Sequence, residues 1–210
     1  MMNNMQLLNS INPTVKKVLG IIFGWIIIPV LIVFFVQVFV FQAFYVDGQS
    51  MEPSLHHNDY IFTSKIGLNI YRLTKLFNPG LPLERGEIIV FQAPGYEGLP
   101  LIKRVVGLPG ERVIIKDGKV TIFNKQQPDG LTLQEPYIDT NYPTEGEIDL
   151  TISPSHVFVL GDNRSPGASL DSRIIGQIDS SQIYGKALLR LLPINTITTL
   201  KNIDYKTNSK

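Results

Sequence analysis

Cysteine is absent from this chain of 210 residues. The absence excludes disulfide bonds, thiolate metal sites and a cysteine nucleophile. The three histidines, His56, His57 and His156, show no H-E-x-x-H spacing, so the sequence predicts no metal site and no cofactor. No basic helix-turn-helix pattern is present either, which argues against a DNA-binding protein.

Charged residues are missing from the 29 residues between Val18 and Val46. As a helix, this stretch would be roughly 43 Å long, against about 30 Å of bilayer hydrocarbon. A cleaved secretory signal has an apolar core of about 7 to 15 residues and a small-residue cleavage site, neither of which fits this stretch. The sequence therefore predicts a retained membrane anchor over residues 18–41, between an N-terminal segment 1–17 and a domain 42–210.

The flanking charges predict the orientation of this anchor. Lys16 and Lys17 precede it, whereas Asp47 follows it and the next cation is Lys65. The positive-inside rule places the N-terminus in the cytoplasm and the domain outside, in a single-pass protein of the cytoplasmic membrane. Those two lysines belong to 19 basic residues, so the exported part has 17 basic and 18 acidic residues. A net charge of about −1 does not suggest a nucleic-acid partner.

The exported part shows the sequence signals of a β domain. Short runs of β-branched and aromatic residues, separated by Gly, Pro, Asn and Asp, predict strands. Asp117-Gly118 predicts a two-residue hairpin turn with positive φ. A helix is predicted only in the anchor, with short turns near Leu68–Phe77 and at Asp179–Gln182. The predicted strands lie within residues 85–94, 101–110, 112–124, 156–163 and 183–193.

Ser50 stands in the stretch "GQSMEPSL", residues 48–55, just outside the apolar run. A serine hydroxyl becomes a useful nucleophile only beside a group that accepts its proton, and that group usually arrives through the fold. His56 and His57 lie in a polar stretch with turn character, and we interpret them as solvated loop residues. His156 opens an apolar strand, where a histidine is more often an edge or packing residue than a base.

Lys103 lies in the predicted strand "LIKRVV". Strand alternation puts Leu101, Lys103 and Val105 on one face, so the lysine stands between two apolar side chains. Burial there would lower the pKa of the lysine from its ordinary value of about 10.4, at which only about one molecule in a thousand is neutral near pH 7.5. Two interpretations stay open on these residues alone: a neutral lysine that acts as a base, or a side chain that reaches solvent from a strand edge.

Four short motifs follow the predicted anchor, and each is a weak pattern by itself. In this order, they resemble the four sequence boxes of bacterial type I signal peptidases, and the resemblance extends over nearly the whole chain. The motifs are "SMEPSL" (50–55), "RGEIIVF" (85–91), "KRVVGLPGE" (103–111) and "GDNR" with "DSR" (161–164 and 171–173).

The resemblance implies a fold and a mechanism. The fold is mainly β, an antiparallel β-sheet catalytic core preceded by one transmembrane helix. The polar, proline-interrupted stretch at residues 131–153 itself predicts extended excursions from the main sheet, and we interpret about residues 112–155 as a smaller β subdomain. The mechanism uses a Ser/Lys dyad, in which Ser50 attacks the scissile carbonyl and neutral Lys103 takes the hydroxyl proton. No histidine, metal or cofactor is required.

Further residues receive supporting roles from the same resemblance. The oxyanion would be held by the main-chain N–H of Ser50 and by a hydroxyl two residues earlier, where this chain has Gly48. Ser169 falls at the position of a lysine-orienting serine if the last box bulges, because six residues rather than four separate its two halves. Asp171 and Arg173 match charges that would fix this loop beside the dyad.

The resemblance also implies a substrate and a location. The substrates would be signal peptides of secreted precursor proteins, cleaved after an Ala-x-Ala-like sequence on the outer face of the cell membrane. The lipid bilayer and the protein export machinery would be the other partners. An extended precursor would pair with strand edges near 47–51 and 101–103. The residues expected to line the small-residue pocket are Val46, Met51, Leu55, Leu101 and Ile102.

Two alternatives belong to other functional classes. One is an anchored β domain that binds peptides or partner proteins without catalysis, an interpretation favoured only by Gly48 and the altered last box. The other is a self-cleaving Ser/Lys protease similar to the repressors of the DNA-damage response. The predicted membrane span and the lack of a basic helix-turn-helix pattern argue against this second alternative.

Overall fold

The computed structural model describes residues 12–76, 80–200, 202–203 and 205. The chain divides into two compact units, Met1–Val40 and Phe41–Lys210. Within the described residues 12–40, the first unit forms the helix α1 (Pro13–Val40), which is long and apolar enough to cross a membrane.

Helix α1 begins five residues before the predicted anchor. The reason is local, because the side chain of Asn12 accepts a hydrogen bond from the N–H of Thr14 (2.9 Å) and Pro13 suits the first helical turn. The hydrogen-bond pattern widens to π-helical turns at Phe23–Ile27 and Val36–Val40. The helix ends at Val40, and the chain continues directly into a strand.

Strands dominate the second unit, and every pairing described is antiparallel. The predicted fold class, a mainly β domain after one apolar N-terminal helix, is therefore confirmed. In chain order the strands are β1 (Phe41–Tyr45), β2 (Tyr60–Ser64), β3 (Ile88–Gln92), β4 (Pro100–Gly107), β5 (Arg112–Lys116), β6 (Lys119–Phe123), β7 (Leu131–Thr132), β8 (Ile148–Thr151), β9 (His156–Leu160), β10 (Ile178–Asp179), β11 (Ile183–Leu192) and β12 (Thr198–Thr199).

Eight of these strands form the main sheet. Its order is β1-β2-β11-β3-β4-β9-β10, and β12 pairs with β11. β1 and β2 were not predicted. The residues of β1 continue the apolar run of the anchor, and sequence hydropathy alone does not distinguish an edge strand from the end of a membrane helix.

The other four strands form a smaller sheet in the order β7-β6-β5-β8. Its hairpin turns at Asp117 and Gly118, whose φ angles of 50° and 74° are the positive values that a tight two-residue turn needs. Val113 and Ile122 of this sheet pack in one core cluster with Phe158 of the main sheet. The smaller sheet therefore shares a hydrophobic core with the main sheet.

The second unit also contains short helices. They are α2 (Ile66–Thr74), α3 (Ser172–Ile175) and two 3₁₀ turns, Ser180–Gln182 and Ile194–Thr196. The prediction of only a short turn near Leu68 was wrong, because nine residues form a helix with Leu68 and Tyr71 on its buried face. Phe77, where that prediction ended, lies outside the described residues.

Strand β4 contributes to each of three core clusters. Val105 packs in the first cluster, Val106 in the second and Ile102 in the third. The third cluster also contains Val46 and Met51 from the segment that follows β1. Packing on both faces fixes β4, and its contact with the segment after β1 brings two distant parts of the sequence together.

Candidate active site

Ser50 lies in a compact turn that follows β1. The turn is closed by hydrogen bonds from the N–H of Glu52 to the carbonyl of Gln49 (3.1 Å) and from the N–H of Leu55 to the carbonyl of Met51 (2.9 Å). Its outer side is held by Asn163, whose main-chain N–H donates to the carbonyl of Ser50 (3.1 Å). The turn therefore holds the Ser50 side chain at a fixed place on the domain.

The hydroxyl of Ser50 meets a buried amine. Nζ of Lys103 lies 2.7 Å from Oγ of Ser50 and 2.9 Å from the carbonyl oxygen of Ile102. Lys103 is only 2% exposed, and no carboxylate lies within ion-pair distance of its amine in the described structure. The amine is thus within direct proton-transfer reach of the hydroxyl.

The surroundings of Lys103 make its charged form costly. Burial lowers the pKa of Lys103 to about 8, although the more distant charges of Asp171 and Asp162 act in the opposite direction. At pH 7.5 such a pKa leaves roughly a quarter of the molecules with a neutral amine, against about one in a thousand for an ordinary lysine. A neutral amine has the free electron pair that a general base needs.

Arg104, the next residue, points to the opposite side of β4 and has a carboxylate partner. Its Nε donates to Oδ1 of Asp162 (2.8 Å), its Nη1 donates to the carbonyl of Gly86 (2.7 Å), and its guanidinium lies over the ring of Tyr137 at 4.6 Å. Burial alone would lower the pKa of Arg104, but the hydrogen bonds and charge of Asp162 outweigh it and raise that pKa.

The loop after β9 lies against the Ser50 turn through a glycine. A Cβ atom at Gly161 would lie 2.5 Å from the carbonyl oxygen of Ser50 and closer still to Oγ of Ser169. Only glycine therefore permits this approach. The hydroxyl of Ser169 donates to Oδ2 of Asp171 (2.7 Å), and the described structure has no hydrogen bond between Ser169 and Lys103. Its predicted role in orienting the lysine stays a prediction.

Asp171 organises this loop. It accepts a two-pronged pair of hydrogen bonds from Arg173 (2.9 and 2.8 Å) and a further bond from the N–H of Gly161 (3.1 Å). Burial alone would raise the pKa of Asp171, but the hydrogen bonds and charge of Arg173, with those of Gly161 and Ser169, outweigh burial and keep that pKa below its ordinary value. An ionised Asp171 therefore fixes the loop beside the Ser50 turn.

A groove of about 340 Å³ opens beside Ser50 and Lys103. Four of the five residues predicted for substrate binding line it, namely Val46, Met51, Leu101 and Ile102. The other lining residues are Tyr45, Asp47, Gly48, Leu99 and Pro100.

Two open strand edges border this groove. β1 is the terminal strand of the main sheet. Residues 100–103 of β4 pair with β3 on one side, whereas β9 joins the other side only from Arg104 onward. Unpaired main-chain groups of this kind can accept an added strand, so the groove suits an extended peptide whose carbonyl reaches Ser50.

Comparison with known protein families identifies the family of this chain. The family model described as signal peptidase, peptidase S26, matches residues 19–192. The chain belongs to the signal peptidase family, peptidase S26. It is therefore a serine peptidase, a hydrolase of peptide bonds.

Individual relatives and one solved structure are also similar to this chain. Signal peptidase I from Leptolyngbya laminosa is 35% identical over 174 residues, which cover 79% of this chain and 75% of the relative. Signal peptidase I from Bacillus licheniformis is 29% identical over 189 residues, which cover 84% of this chain and 91% of the relative. A crystal structure of a signal peptidase I from Enterococcus faecalis is 30% identical in sequence. The match covers 49% of this chain and 94% of the chain in that crystal structure, with a TM-score of 0.41.

Some predicted residues of this signal peptidase family member lie away from the groove. Leu55 is fully buried in the third core cluster and is not among the residues that line the groove, so the structure gives it a packing place. The reason is the Ser50 turn, in which the N–H of Leu55 bonds to the carbonyl of Met51 and both side chains belong to the same core cluster. His156 contacts the carbonyl of Pro154 (2.8 Å) and lies 3.7 Å from Asp179.

His57 has a more specific place than a solvated loop residue. Its Nδ1 accepts the main-chain N–H of Gly48 (3.2 Å) and lies 3.4 Å from a carboxylate oxygen of Asp47. It makes no hydrogen bond with Ser50 in the described structure. His57 thus supports the backbone just before Ser50, and Gly48 itself has a φ of 97° that disfavours any side chain there.

Sequence reasoning missed Asn163. Besides its bond to Ser50, its side-chain amide donates to the carbonyl of Gln49 (3.1 Å), so it fixes two successive residues of the turn. The signal was present, because Asn163 lies inside the "GDNR" motif. No group of three or more His, Asp or Glu side chains that could hold a metal occurs within residues 12–76, 80–200, 202–203 and 205.

Proposed function

We propose that this chain is a membrane-anchored serine endopeptidase that cleaves signal peptides from exported precursors after small residues. The observation that carries the proposal is the 2.7 Å contact between Oγ of Ser50 and Nζ of Lys103, an amine whose pKa burial lowers to about 8. Ser50 is the proposed nucleophile and Lys103 the proposed general base.

Acylation begins with the neutral amine. Nζ of Lys103 takes the hydroxyl proton of Ser50 while Oγ attacks the carbonyl carbon of the scissile bond, and the carbonyl oxygen becomes an oxyanion. The ammonium then donates that proton to the nitrogen of the leaving chain as the C–N bond breaks. Lys103, again neutral, takes a proton from water, whose oxygen attacks the acyl carbon. The ammonium then returns that proton to Oγ of Ser50 as the acyl–Oγ bond breaks, which releases the signal peptide with a free carboxyl group and restores Ser50 and neutral Lys103.

The main-chain N–H of Ser50 is the proposed donor to the oxyanion. It makes no hydrogen bond in the described structure, so it is available to a substrate. Gly48 has no hydroxyl to offer, and its own N–H is already bonded to His57. Removal of one oxyanion donor typically costs about 3 kcal/mol of transition-state stabilisation, which leaves the Ser50 N–H as an important group.

The proposed specificity follows from the groove. Apolar side chains at Val46, Met51 and Leu101 surround the position next to Ser50, and the volume of about 340 Å³ is small for a cleft that also takes a peptide main chain. Small side chains before the scissile bond fit this space. The proposed substrate therefore presents an Ala-x-Ala-like sequence as an added strand along the open edge at residues 100–103.

The proposed location is the outer face of the cytoplasmic membrane. α1 is apolar enough to cross a bilayer, and the lysines Lys16 and Lys17 near its start favour a cytoplasmic N-terminus. With this orientation the peptidase domain lies on the side where exported precursors emerge, so the lipid bilayer and the export machinery are its proposed neighbours.

A cleavage assay tests the proposal. Purified full-length protein in detergent would receive a precursor with an Ala-x-Ala site, alongside the variants Ser50→Ala, Lys103→Ala and, as a matched control, the exposed lysine variant Lys119→Ala. We expect cleavage by the parent and by Lys119→Ala, and a loss of about 10³-fold or more in the two dyad variants. Chelators should have no effect.

The pH profile separates a lysine base from a histidine base. Because the base must be neutral, kcat/KM should rise with pH through the pKa of Lys103, near 8, and level off above about pH 9. A rise centred near pH 6.5, or activity that survives Lys103→Ala, would contradict the proposed mechanism. A folded parent that binds the precursor without cleaving it would instead favour the non-catalytic alternative, and cleavage only of its own chain would favour the self-cleaving one.

A further inference from the structure

Helix α2 is apolar on two opposite faces. Leu68 and Tyr71 lie on the face that packs against the domain. Ile66, Ile70 and Leu73 follow a spacing of four and three residues, which places them on one stripe at the other side of the helix. A helix that packs against only one neighbour needs only one apolar face, so the second stripe has no packing role within the part of the domain that the structure describes.

This outer stripe is strongly exposed. The exposed fractions are 42% for Ile66, 56% for Ile70 and 84% for Leu73, and Leu76, just after the helix, is 88% exposed. Isolated exposed apolar residues are common on protein surfaces, but a contiguous stripe usually marks a surface that meets something apolar.

The charge of this segment favours one kind of apolar neighbour. Residues 65–76 contain three cations and no acidic residue. Arg72 is bonded to the domain through the carbonyl of Ile183, and the other two cations, Lys65 and Lys75, lie at the two ends of the helix. A basic amphipathic helix of this type fits the interface of a bilayer with anionic headgroups, where apolar side chains enter the acyl boundary and cations stay at the headgroups.

Hydrogen bonds hold the stripe in its outward orientation. The guanidinium of Arg72 donates to the carbonyl of Ile183 (2.5 Å), and the hydroxyl of Tyr71 contacts Oγ of Ser155 (3.1 Å). The helix is therefore fixed on the domain through its inner side, and the stripe cannot turn inward without breaking these contacts.

Strand register places α2 next to the point where the chain leaves α1. Phe41, which follows the last residue of α1, is the Cα partner of Ser64 at the end of β2. Opposed Cα atoms of an antiparallel pair are about 5 Å apart, and the two residues from Ser64 to Ile66 add at most about 7 Å. Ile66 therefore lies within about 12 Å of Phe41, and α2 is only about 13 Å long.

We infer that α2 is an interfacial helix, whose stripe Ile66, Ile70 and Leu73, extended by Leu76, lies in the headgroup and upper acyl region of the bilayer that α1 crosses. The inference rests on the proposed membrane anchoring of this chain. It gives the domain a second attachment beside the anchor, and two attachments restrict how the active-site groove can rotate and rise relative to the membrane surface.

Attachment at two points has a consequence for the reaction. A domain that hangs on a single chain connection at Val40–Phe41 could present its groove at many heights, whereas one fixed by α2 presents Ser50 at one height. A precursor held by its own membrane-spanning signal would then meet the groove with its scissile bond already near Ser50, which lowers the cost of bringing the two together.

Single-cysteine labelling measures the depth of α2, because the natural chain contains no cysteine. The full chain would be reconstituted, one molecule per disc, in nanodiscs of phosphatidylcholine and phosphatidylglycerol. An environment-sensitive fluorophore would be attached at Ile70→Cys or Leu73→Cys, with lipids that carry a quencher at a shallow or a deep acyl position. The controls are Phe34→Cys in α1 and Lys119→Cys in the exposed hairpin turn of the smaller sheet.

The inference predicts shallow quenching at residues 70 and 73, deep or shallow quenching at residue 34, and none at residue 119. Quenching at 34 but not at 70 and 73 would overturn it, because it would show that the stripe stays in water while α1 crosses the bilayer. Absence of quenching at 34 would instead contradict the proposed anchoring itself, so the two failures are distinguishable. A single-cysteine variant that still cleaves precursor shows that labelling left the domain folded.

Discussion

Lys103 and Arg104 are adjacent in β4, both are cationic, and both are 2% exposed, yet their surroundings differ in one respect. Arg104 faces Asp162, which accepts two of its hydrogen bonds. Lys103 faces the hydroxyl of Ser50 and a main-chain carbonyl, neither of which carries a charge. One buried cation is neutralised by a partner, and the other is not.

One strand can therefore contain a cation that keeps its proton and a second cation that loses its proton near neutral pH. A paired buried charge keeps its proton, because its partner stabilises the charged form, and the pKa of Arg104 is raised. An unpaired buried charge is costly and gives up its proton near neutral pH, and the pKa of Lys103 is lowered to about 8. Strand alternation makes this possible, since neighbouring side chains enter different environments.

Exchange of the two residue types should produce the largest effect. Lys103→Arg keeps a cation beside Ser50 but replaces a titratable amine with a guanidinium that does not lose its proton in proteins. We expect kcat/KM to fall by about 10³-fold or more, with no recovery up to the highest pH at which the protein stays folded. Arg104→Lys keeps a cation opposite Asp162 and should retain activity within about tenfold. The measurement is precursor cleavage across a pH series, with circular dichroism as the test of folding.

Equal losses of kcat/KM in the two variants would contradict the distinction between Lys103 and Arg104. They would mean that activity depends on positive charge in β4 and not on loss of the proton from residue 103. Recovery of Lys103→Arg at high pH would have the same meaning. A fall in Arg104→Lys that follows only the fraction of folded protein would leave the comparison intact.

Loss of the paired cation should have the largest effect on stability. Arg104→Met leaves the carboxylate of Asp162, which is fully buried, without its partner. Removal of one member of a buried ion pair typically costs about 3–5 kcal/mol of unfolding free energy. Urea unfolding in detergent measures it. The double variant Arg104→Met/Asp162→Leu removes both charges and should recover much of the loss, whereas no recovery would show that the hydrogen bonds of Arg104 to Gly86 matter more than the charge pair.

Sequence reasoning predicted the parts of the site that lie on regular strands. Alternation in "LIKRVV" separated Lys103 from Arg104, and apolar neighbours indicated burial of the lysine, as the structure has it. The pairing of Lys103 with Ser50 is a contact across 53 residues of chain. Alternation says which face a side chain takes but not what it meets there, so this pairing came from the resemblance to a family and not from the residues.

Other parts of the site depend on contacts that no local pattern encodes. Arg164 is fully buried against Glu135, which lies in the polar, proline-containing stretch between β7 and β8. Tyr137 in the same stretch contacts both the guanidinium of Arg104 and the hydroxyl of Tyr205 (2.7 Å). Composition predicts solvated loops for such residues, because a polar side chain becomes a core residue only when distant partners satisfy it.

Replacement of the unpaired cation, Lys103, should raise the free energy of unfolding near neutral pH, whereas replacement of Arg104 lowers it. An ammonium whose pKa falls from an ordinary 10.5 to about 8 in the folded state destabilises that state by about 3 kcal/mol wherever both states are protonated, that is below pH 8. The penalty declines between pH 8 and pH 10.5 and is absent above, where both states are neutral.

Lys103→Met removes the charge and also the hydrogen bond to Ser50, which is worth about 1 kcal/mol. We therefore expect this variant to be inactive yet more stable than the parent by about 2 kcal/mol at pH 7, where the charge penalty exceeds the lost hydrogen bond. At about pH 10.5 the penalty has almost gone and the lost hydrogen bond remains, so the variant should be slightly less stable than the parent. Urea unfolding at both pH values measures it, and Lys119→Met, an exposed lysine, is the control that should change little at either. A variant that is less stable than the parent at pH 7 would mean that charged Lys103 stabilises the folded state. Lys103 and Arg104 would then differ only in how strongly each stabilises it.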